Sequence, residues 1–315
     1  MNERNQFPRL GLLLAAAPLM LSNIASSPLF DVERADRPPA QDAADDLPDE
    51  TIPEGITKDE IDTSKTADAK TATGDSLRID NLERPFTQDG MVYHPETDIL
   101  AVTIAEDETY YYFSFELKGN DTEKGYPSAT YGIEFDSDLD LRGETLLWVK
   151  GGQESQWNNE GVSIYQDKNG DVGGARAVIP DAFAGDGYET LAHPENGQET
   201  TDFGWKRAPD GKEGVIQLAI RKTLIERDYF FWKAWADGGA ADPALFDYND
   251  TFSNTQAGSP DKNSDVYPVK ELELADSTCW AAYGFQPTRE QTGCCYKAPA
   301  KVKVKKQGEP EPPPS

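Results

Sequence analysis

The chain of 315 residues carries 57 acidic and 30 basic side chains, which gives a formal net charge of -27. So large a negative charge repels nucleic acids and anionic membrane surfaces, and it argues against DNA and RNA as partners. Hydrophobic residues make up 37% of the chain and aromatic residues 10%, which is enough for the core of one globular domain.

The N-terminus predicts a secretory signal peptide over residues 1–25. Two arginines precede the apolar run Leu10–Leu21, and mostly small and polar residues follow it. Because an apolar run this short is typical of a cleaved signal rather than of a bilayer span, we expect an exported protein. The predicted location is secreted, extracellular or at the cell surface of a bacterium, with no membrane span after cleavage. An uncleaved N-terminal anchor is the alternative.

Residues 26–75 predict a disordered acidic linker. The stretch is rich in Asp, Ala, Pro and Thr, and it has no aromatic residue after Phe30. Such a composition buries too little apolar surface to offset the loss of chain entropy on folding. The ordered domain is therefore expected to begin near Ser76.

A period of two dominates the hydrophobic pattern from Leu77 to Leu274. In Thr109–Leu117, aromatic residues at alternate positions share one face, as in a strand with one side in a core. The predicted strands are Thr109–Leu117, Ala129–Phe135, Leu146–Lys150, Gly161–Gln166, Ala175–Ile179, Gly214–Ile220, Tyr229–Ala236 and Val269–Leu274. Segments rich in Gly, Asp and Pro join them, and Asp210-Gly211 is typical of a tight turn.

Repeated strands with hardly any helical periodicity predict an all-β fold. We expect an antiparallel β-sandwich, jelly-roll or Ig-like, with short helical turns, over residues 76–280. The helical turns are expected in residues 221–227 and 243–249.

The most informative stretch follows the strand Y-G-I-E-F and contains Asp136, Asp138, Asp140 and then Glu144. Carboxylates at alternate positions would repel one another on a regular strand, whereas a loop around a hard cation turns their oxygens inward. These four residues therefore predict a structural calcium site. A solvated acidic loop is the alternative.

This loop does not match an EF-hand. Leu141 stands where the EF-hand pattern has a turning glycine, and Leu147 stands where it has a bidentate glutamate. The flanks also read as strands rather than helices.

A second acidic segment, residues 167–171, is predicted as a tight turn first and a metal ligand second, because it contains Asn-Gly.

The sequence lacks the motifs of common hydrolases. His94 and His193 are its 2 histidines, and each is followed by a proline that favours an extended loop. No G-x-S-x-G elbow, H-E-x-x-H motif or phosphate-binding glycine loop occurs. Met91 and His94 lie too close in one loop to bind opposite faces of a haem iron. We therefore predict that the protein is not an enzyme.

Three tryptophans are candidates for ligand binding. Trp157 and Trp205 lie among polar residues, and Trp235 alternates out of phase with Trp232 on one predicted strand. Exposed rings beside hydrogen-bonding side chains are typical platforms for sugars. A role in covering the edges of the core is the alternative for each. The remaining candidates for core positions are Trp148, Trp232 and Trp280.

The three cysteines lie near the C-terminus. In an oxidising compartment Cys279 is expected to form a disulfide with Cys294 or Cys295, and the remaining thiol either pairs between chains or stays reduced. Residues 281–297 are predicted as a cysteine-containing extension, and residues 298–315 as a basic, then Pro-rich, disordered tail.

Several predicted strands together resemble the DOMON-like superfamily and its family 9 carbohydrate-binding modules. The matching segments are E-T-Y-Y-Y-F-S-F-E, Y-G-I-E-F-D-S-D-L-D, F-F-W-K-A-W-A and V-K-E-L-E-L, within about Ser76–Asp276. The resemblance implies a secreted β-sandwich, commonly with structural calcium and a sugar or haem ligand.

Two functional hypotheses follow. The first is an exported, non-catalytic β-sandwich, stabilised by calcium, that binds a carbohydrate or another extracellular polymer. The second is a structural cell-surface protein, a subunit of an S-layer, filament or matrix, whose tails and spare cysteine contact other copies of itself.

Overall fold

The computed structural model describes residues 47–65, 83–84, 92–168, 170, 172, 188, 190–193, 204–238 and 275–287. Regular structure in this part of the chain is almost entirely β-strand, with 3-10 turns at Pro95–Thr97 and Lys222–Leu224. In chain order the strands are β1 (Ile56–Asp59), β2 (Glu83–Arg84), β3 (Ile99–Glu106), β4 (Tyr110–Leu117), β5 (Thr130–Asp136), β6 (Thr145–Lys150), β7 (Val162–Gln166), β8 (Thr190–His193), β9 (Gly204–Arg207), β10 (Val215–Arg221), β11 (Phe230–Asp237), β12 (Ala275–Ser277) and β13 (Ala281–Tyr283).

The strands form two sheets. The five-stranded sheet has the order β1-β3-β4-β10-β9, and the larger sheet has the order β2-β12-β11-β5-β6-β7-β8, with β13 also paired to β11. All of these pairings are antiparallel. The predicted all-β, antiparallel sandwich is therefore confirmed.

The core lies between the two sheets and is built from alternate residues of their strands. On β4 the inward residues include Tyr111, Phe113 and Phe115, as the period of two predicted. Phe113 packs edge-on against Phe135 of β5 and Trp232 of β11, with ring centroids 5.6 Å apart in each pair. Because alternate residues point outward, the side chains left for a site lie on the outer faces and in the loops.

The predicted strands that fall within the described residues are all confirmed. They correspond, within a residue or two at each end, to β4, β5, β6, β7, β10 and β11. The predicted helical turn at 221–227 is the 3-10 turn Lys222–Leu224. Predicted elements at 175–179, 243–249 and 269–274 lie outside the described residues. β3 was not predicted, because its sequence, ILAVTIAE, is nearly continuously apolar and lacks the alternation that indicated the other strands.

The linker prediction is wrong for residues 47–65, which are folded. β1 pairs with β3 as an edge strand, and the hydroxyls of Thr57 and Thr103 share a hydrogen bond of 2.8 Å. An added edge strand gains backbone hydrogen bonds from its neighbour, so it needs few apolar residues of its own. The signal peptide 1–25, the rest of the predicted linker and the tail 298–315 lie outside the described residues.

The sandwich also continues past the predicted boundary at residue 280. β13 pairs with β11, and the ring of Tyr283 stacks on Phe230 with a centroid distance of 5.3 Å. The predicted extension, residues 281–297, therefore begins inside the fold. Within the described ranges, no helix has the length and apolar character that crossing a membrane requires.

Candidate metal centre

Four carboxylates converge in the hairpin loop between β5 and β6. One oxygen from each of Asp136, Asp138, Asp140 and Glu144 lies within 4.8 Å of the others. These are the four residues that the sequence predicted to meet. Carboxylate oxygens are the ligands that calcium prefers, so the loop offers a suitable donor set.

The carboxylate of Asp136 holds the loop in a tight curl. Its Oδ1 accepts hydrogen bonds from the backbone N–H groups of Leu139 (2.6 Å) and Asp140 (3.2 Å). Its Oδ2 accepts one from the N–H of Leu141 at 2.7 Å. The buried carboxylate therefore stands in the middle of the loop, with three backbone groups directed at it.

Two leucines in this loop have a left-handed backbone. Leu139 and Leu141 both have a φ of 71°, a conformation that costs a non-glycine residue roughly 1–2 kcal/mol. Leu141 is the position where an EF-hand pattern has glycine, and it adopts the conformation that glycine would supply. Backbone strain of this kind persists where the surroundings enforce it, and it is concentrated at binding sites.

The other three carboxylates line the mouth of the curl. Asp138 and Asp140 are exposed, and Glu144 is partly buried. Asp138 Oδ1 accepts a hydrogen bond from the N–H of Asp140 at 3.1 Å, and Glu144 Oε2 accepts one from the N–H of Ser137 at 2.5 Å. A carboxylate has about four lone-pair sites, so each of these groups retains sites for a cation.

Burial makes ionisation of the inner carboxyls unfavourable. It raises the pKa of Asp136 to about 7 and that of Glu144 to about 8, and the neighbouring carboxylates add to both effects. Burial and the charge of Asp138 also raise the pKa of Asp140. A divalent cation would favour the ionised forms, so its binding would offset this cost.

A buried polar network beneath the loop holds it in position. Glu134 lies two residues before Asp136 on β5, so both side chains lie on the outer face of the larger sheet. Glu134 Oε1 accepts a hydrogen bond from the Tyr188 hydroxyl at 2.8 Å, and its Oε2 accepts one from Trp235 Nε1 at 2.6 Å. A Cβ added at Gly143 would come within 1.9 Å of the Tyr188 hydroxyl. The network therefore leaves room only for glycine at this point of the loop.

Sequence reasoning missed Glu134 and Tyr188. The signal for Glu134 was present, because it is an acidic residue at an alternate position of an otherwise apolar strand that ends at Asp136. Tyr188 approaches from a distant part of the chain, and no local pattern pointed to it.

The three candidate ligand-binding tryptophans lie on or against two different sheets. Trp157 and Trp205 join Tyr112 in an aromatic cluster on the outer face of the five-stranded sheet. Trp235 lies on the larger sheet, on the face opposite to Trp232, which belongs to the core. Trp235 therefore does not share a surface with the other two.

The expected exposure of these rings is also wrong for two of them. Trp157 is 6% exposed and Trp235 is 1% exposed, so neither offers a free ring face. Trp205 is partly buried against the same aromatic cluster as Trp157. A ligand-binding role for the three tryptophans stays a prediction.

An N-terminal segment, residues 47–52, covers Trp157, and we call it the strap. The carbonyl of Asp49 accepts a hydrogen bond from Trp157 Nε1 at 3.0 Å, and the N–H of Asp49 donates to the Tyr112 hydroxyl at 3.0 Å. The guanidinium of Arg207 lies 4.3 Å from the Trp157 ring centroid. Arg207 also donates to the carboxylate and carbonyl of Glu50, at 2.7 and 2.8 Å. The strap thus explains why a tryptophan among polar residues is buried.

The second acidic segment behaves as a turn. Asp167 Oδ1 accepts a hydrogen bond from the N–H of Gly170 at 2.7 Å, and its Oδ2 accepts one from the N–H of Val172 at 3.0 Å. Gly170 has a φ of 78°. The carboxylate therefore organises the local backbone, in agreement with the first of its two predicted roles.

The remaining predictions are tested in part. The tryptophans predicted in core positions are all buried: Trp148, Trp232 and Trp280. Cys279 is buried as well. Since Cys294 and Cys295 lie outside the described residues, their predicted pairing with Cys279 stays a prediction.

No protein-family model matches the chain, and neither a curated protein nor a solved structure matches it. The resemblance to DOMON-like domains and family 9 modules therefore depends on the strand pattern described above. Membership of that superfamily stays a prediction.

Proposed function

We propose that the protein is an exported, non-catalytic β-sandwich that is stabilised by calcium and binds a carbohydrate or a related extracellular ligand. The observation that carries the proposal is the curled acidic loop, where four carboxylates meet and two leucines hold a left-handed backbone. Extracellular calcium modules function with dissociation constants of roughly 0.1–1 mM. A partly exposed loop of this kind suits such an affinity.

The spacing of the loop oxygens allows one calcium ion to bind between them. Calcium binds oxygens at about 2.3–2.6 Å, so that oxygens on opposite sides of the ion are separated by about 4.6–5.2 Å. The four carboxylate oxygens lie within 4.8 Å of one another. An ion between them would neutralise their mutual repulsion and hold the strained loop in the curled conformation.

The proposed ligand surface is the outer face of the five-stranded sheet beneath the strap. It carries Tyr112, Trp157 and Arg207, and Arg207 Nε donates to Gln217 Oε1 at 2.7 Å. A flat ring contacts the C–H groups of a sugar while polar neighbours bind its hydroxyls, so this combination suits a carbohydrate. Because the strap covers the surface, a ligand would have to displace it.

A binding assay with a loosened strap tests this proposal. Glu50→Ala removes the carboxylate that Arg207 binds, so we expect the variant to be retained more strongly than the wild type on a polysaccharide column that contains the ligand. Glu54→Ala is the matched control, because Glu54 is an exposed glutamate four residues after Glu50 and just outside the strap. Equal retention of the wild type and Glu50→Ala across a broad panel of polysaccharides would exclude this surface.

The contacts of residues 47–59 also favour a second candidate function, a structural protein assembled from copies of itself. Residues 47–59 contact the sandwich twice, through the strap and through β1. The same contacts would link two molecules if the segment were exchanged between them. Gel filtration tests this alternative: an oligomer that dissociates in the variant Arg207→Gln would favour it, and a monomer at all concentrations would contradict it.

A further inference from the structure

We propose that Glu83, Asp98 and Asp276 form a second cation site, which binds a divalent ion of the calcium class. The site lies where β2 and β12 meet the start of β3 and residues 47–65. It shares no residue with the acidic loop, so it goes beyond the function proposed above. Its ligands come from distant parts of the chain, and no spacing in the sequence indicated it.

Strand pairing places two of these carboxylates opposite each other. Glu83 of β2 is the direct partner of Asp276 of β12 in the antiparallel register. Asp98 joins them, with one oxygen of each residue within 4.8 Å of the others. All three residues have 0% exposure. Like charges at directly opposed positions destabilise a strand pair, and removal from water strengthens their repulsion.

Two buried oxygens give a second and independent indication of a ligand. Asp276 Oδ2 accepts a hydrogen bond from the N–H of Ile99 at 2.6 Å, but its buried Oδ1 has no hydrogen-bond partner among the described residues. The N–H of Thr63 donates to Asp98 Oδ2 at 3.2 Å, whereas the fully buried hydroxyl of Thr63 reaches no hydrogen-bonding geometry within the described ranges. Buried oxygens in native proteins nearly always have a partner. A cation at this point would coordinate both.

Thr63 lies beside one member of the cluster, because its backbone N–H binds the Asp98 carboxylate. A hydroxyl oxygen is an accepted calcium ligand class alongside carboxylates, because hard cations select oxygen donors. The donor set of the proposed site is therefore three carboxylates and one hydroxyl, all buried.

The strongest charges acting on the cluster are its own. After burial, the charges of Asp276 and Asp98 contribute most to the raised pKa of Glu83. Burial and the charge of Asp98 likewise raise the pKa of Asp276. Lys118, a basic residue close to Asp98, donates to Asp62 Oδ2 at 2.6 Å at the surface. A divalent ion would supply the positive charge at the point where the three carboxylates meet.

An ion in this site would fasten residues 47–65 to the sandwich. Thr63 belongs to residues 47–65, which include the strap and β1, whereas Asp276 belongs to the larger sheet and Asp98 leads into the five-stranded sheet. The bound ion would therefore join three parts of the chain at one edge of the fold. Its removal should loosen the segment that covers Trp157.

Calcium titration of the full chain tests the proposal. The protein is stripped of metal with a chelator, and bound calcium is measured by equilibrium dialysis. We expect two equivalents for the wild type and one for Asp276→Asn. Asp62→Asn is the matched control, because Asp62 is an exposed carboxylate bound to Lys118 near the same cluster; it should retain both equivalents.

The outcomes separate this site from the acidic loop. If Asp276→Asn binds as much calcium as the wild type, the second site is refuted and protons neutralise the cluster instead. If Asp136→Asn leaves the stoichiometry unchanged while Asp276→Asn removes one equivalent, the loop proposal fails and the second site stands.

A second pair of variants covers the case in which Asp276→Asn does not fold. Glu83→Gln and Thr63→Val each remove one donor from the site, and we expect each to weaken calcium binding at one site by about tenfold or more. Unchanged binding in both variants would refute the site.

Discussion

Replacing Asp136 with Asn should remove much of the pH dependence that the acidic loop gives to the calcium-free protein. Burial raises the pKa of Asp136 from 3.8 to about 7. Between these values the folded chain keeps a proton that the unfolded chain has lost, so stability falls as the pH rises through this window. The contribution of Asp136 to stability is complete below the lower value and is lost above the higher one.

The size of the effect follows from the raised pKa. Between pH 5 and pH 8 roughly two pH units of this window are crossed, which at about 1.4 kcal/mol per unit amounts to about 3 kcal/mol. One kcal/mol moves the melting temperature of a domain of this size by roughly 2–4 °C. The fall in melting temperature from pH 5 to pH 8 should therefore be about 6–12 °C smaller in Asp136→Asn than in the wild type.

Thermal unfolding followed by circular dichroism measures this difference, at both pH values and with excess chelator or excess calcium. Calcium should abolish the decrease in the wild-type melting temperature between pH 5 and pH 8, because the ion favours the ionised carboxylates. It should have little effect on the melting temperature of Asp136→Asn. Asp138→Ala, which removes an exposed ligand, should also lose the stabilisation by calcium. Equal pH dependence of the wild type and Asp136→Asn in chelator would refute the reasoning.

Three further substitutions test the surroundings of the two outer faces. Gly143→Ala should cost about 1–3 kcal/mol in urea unfolding, because the new Cβ would clash with the Tyr188 hydroxyl; an unchanged midpoint would contradict this. Trp157→Ala should cost about 3–5 kcal/mol because the ring is buried, and a loss below about 1 kcal/mol would show that the strap does not cover it. Arg207→Gln should speed proteolysis near Glu50 while the core keeps its melting temperature, and cleavage at the wild-type rate would show that other contacts hold the strap.

Features that depend on neighbours along the chain could be predicted from the sequence. The inward face of β4 followed from its period of two, since successive side chains of a strand point to opposite sides. The acidic loop followed from carboxylates at alternate positions beside a strand, because a hairpin brings such residues together. Gly211, with a φ of 72°, likewise turns the chain between β9 and β10 where Asp210-Gly211 indicated a turn.

Features that depend on pairing between distant segments could not be predicted in this way. Residues 47–65 have the composition of a linker, yet β1 obtains its hydrogen bonds from β3 and the strap obtains its partners from Arg207 and Trp157. The polar neighbours of Trp157 in the sequence suggested exposure, whereas the ring is buried by a segment far from it in the chain. The composition of a segment does not indicate which distant residues will pack against it.

The sequence by itself thus determined the acidic character of the chain, the strands with a period of two, and the hairpin loop rich in carboxylates. The fold alone decided which distant groups meet, as when β2 and β12 set Glu83 opposite Asp276. The physical reason is that burial and electrostatic repulsion depend on distance in space. A periodic pattern depends only on separation along the chain. The packing of the two sheets determines which residues that are distant in sequence lie close together in space.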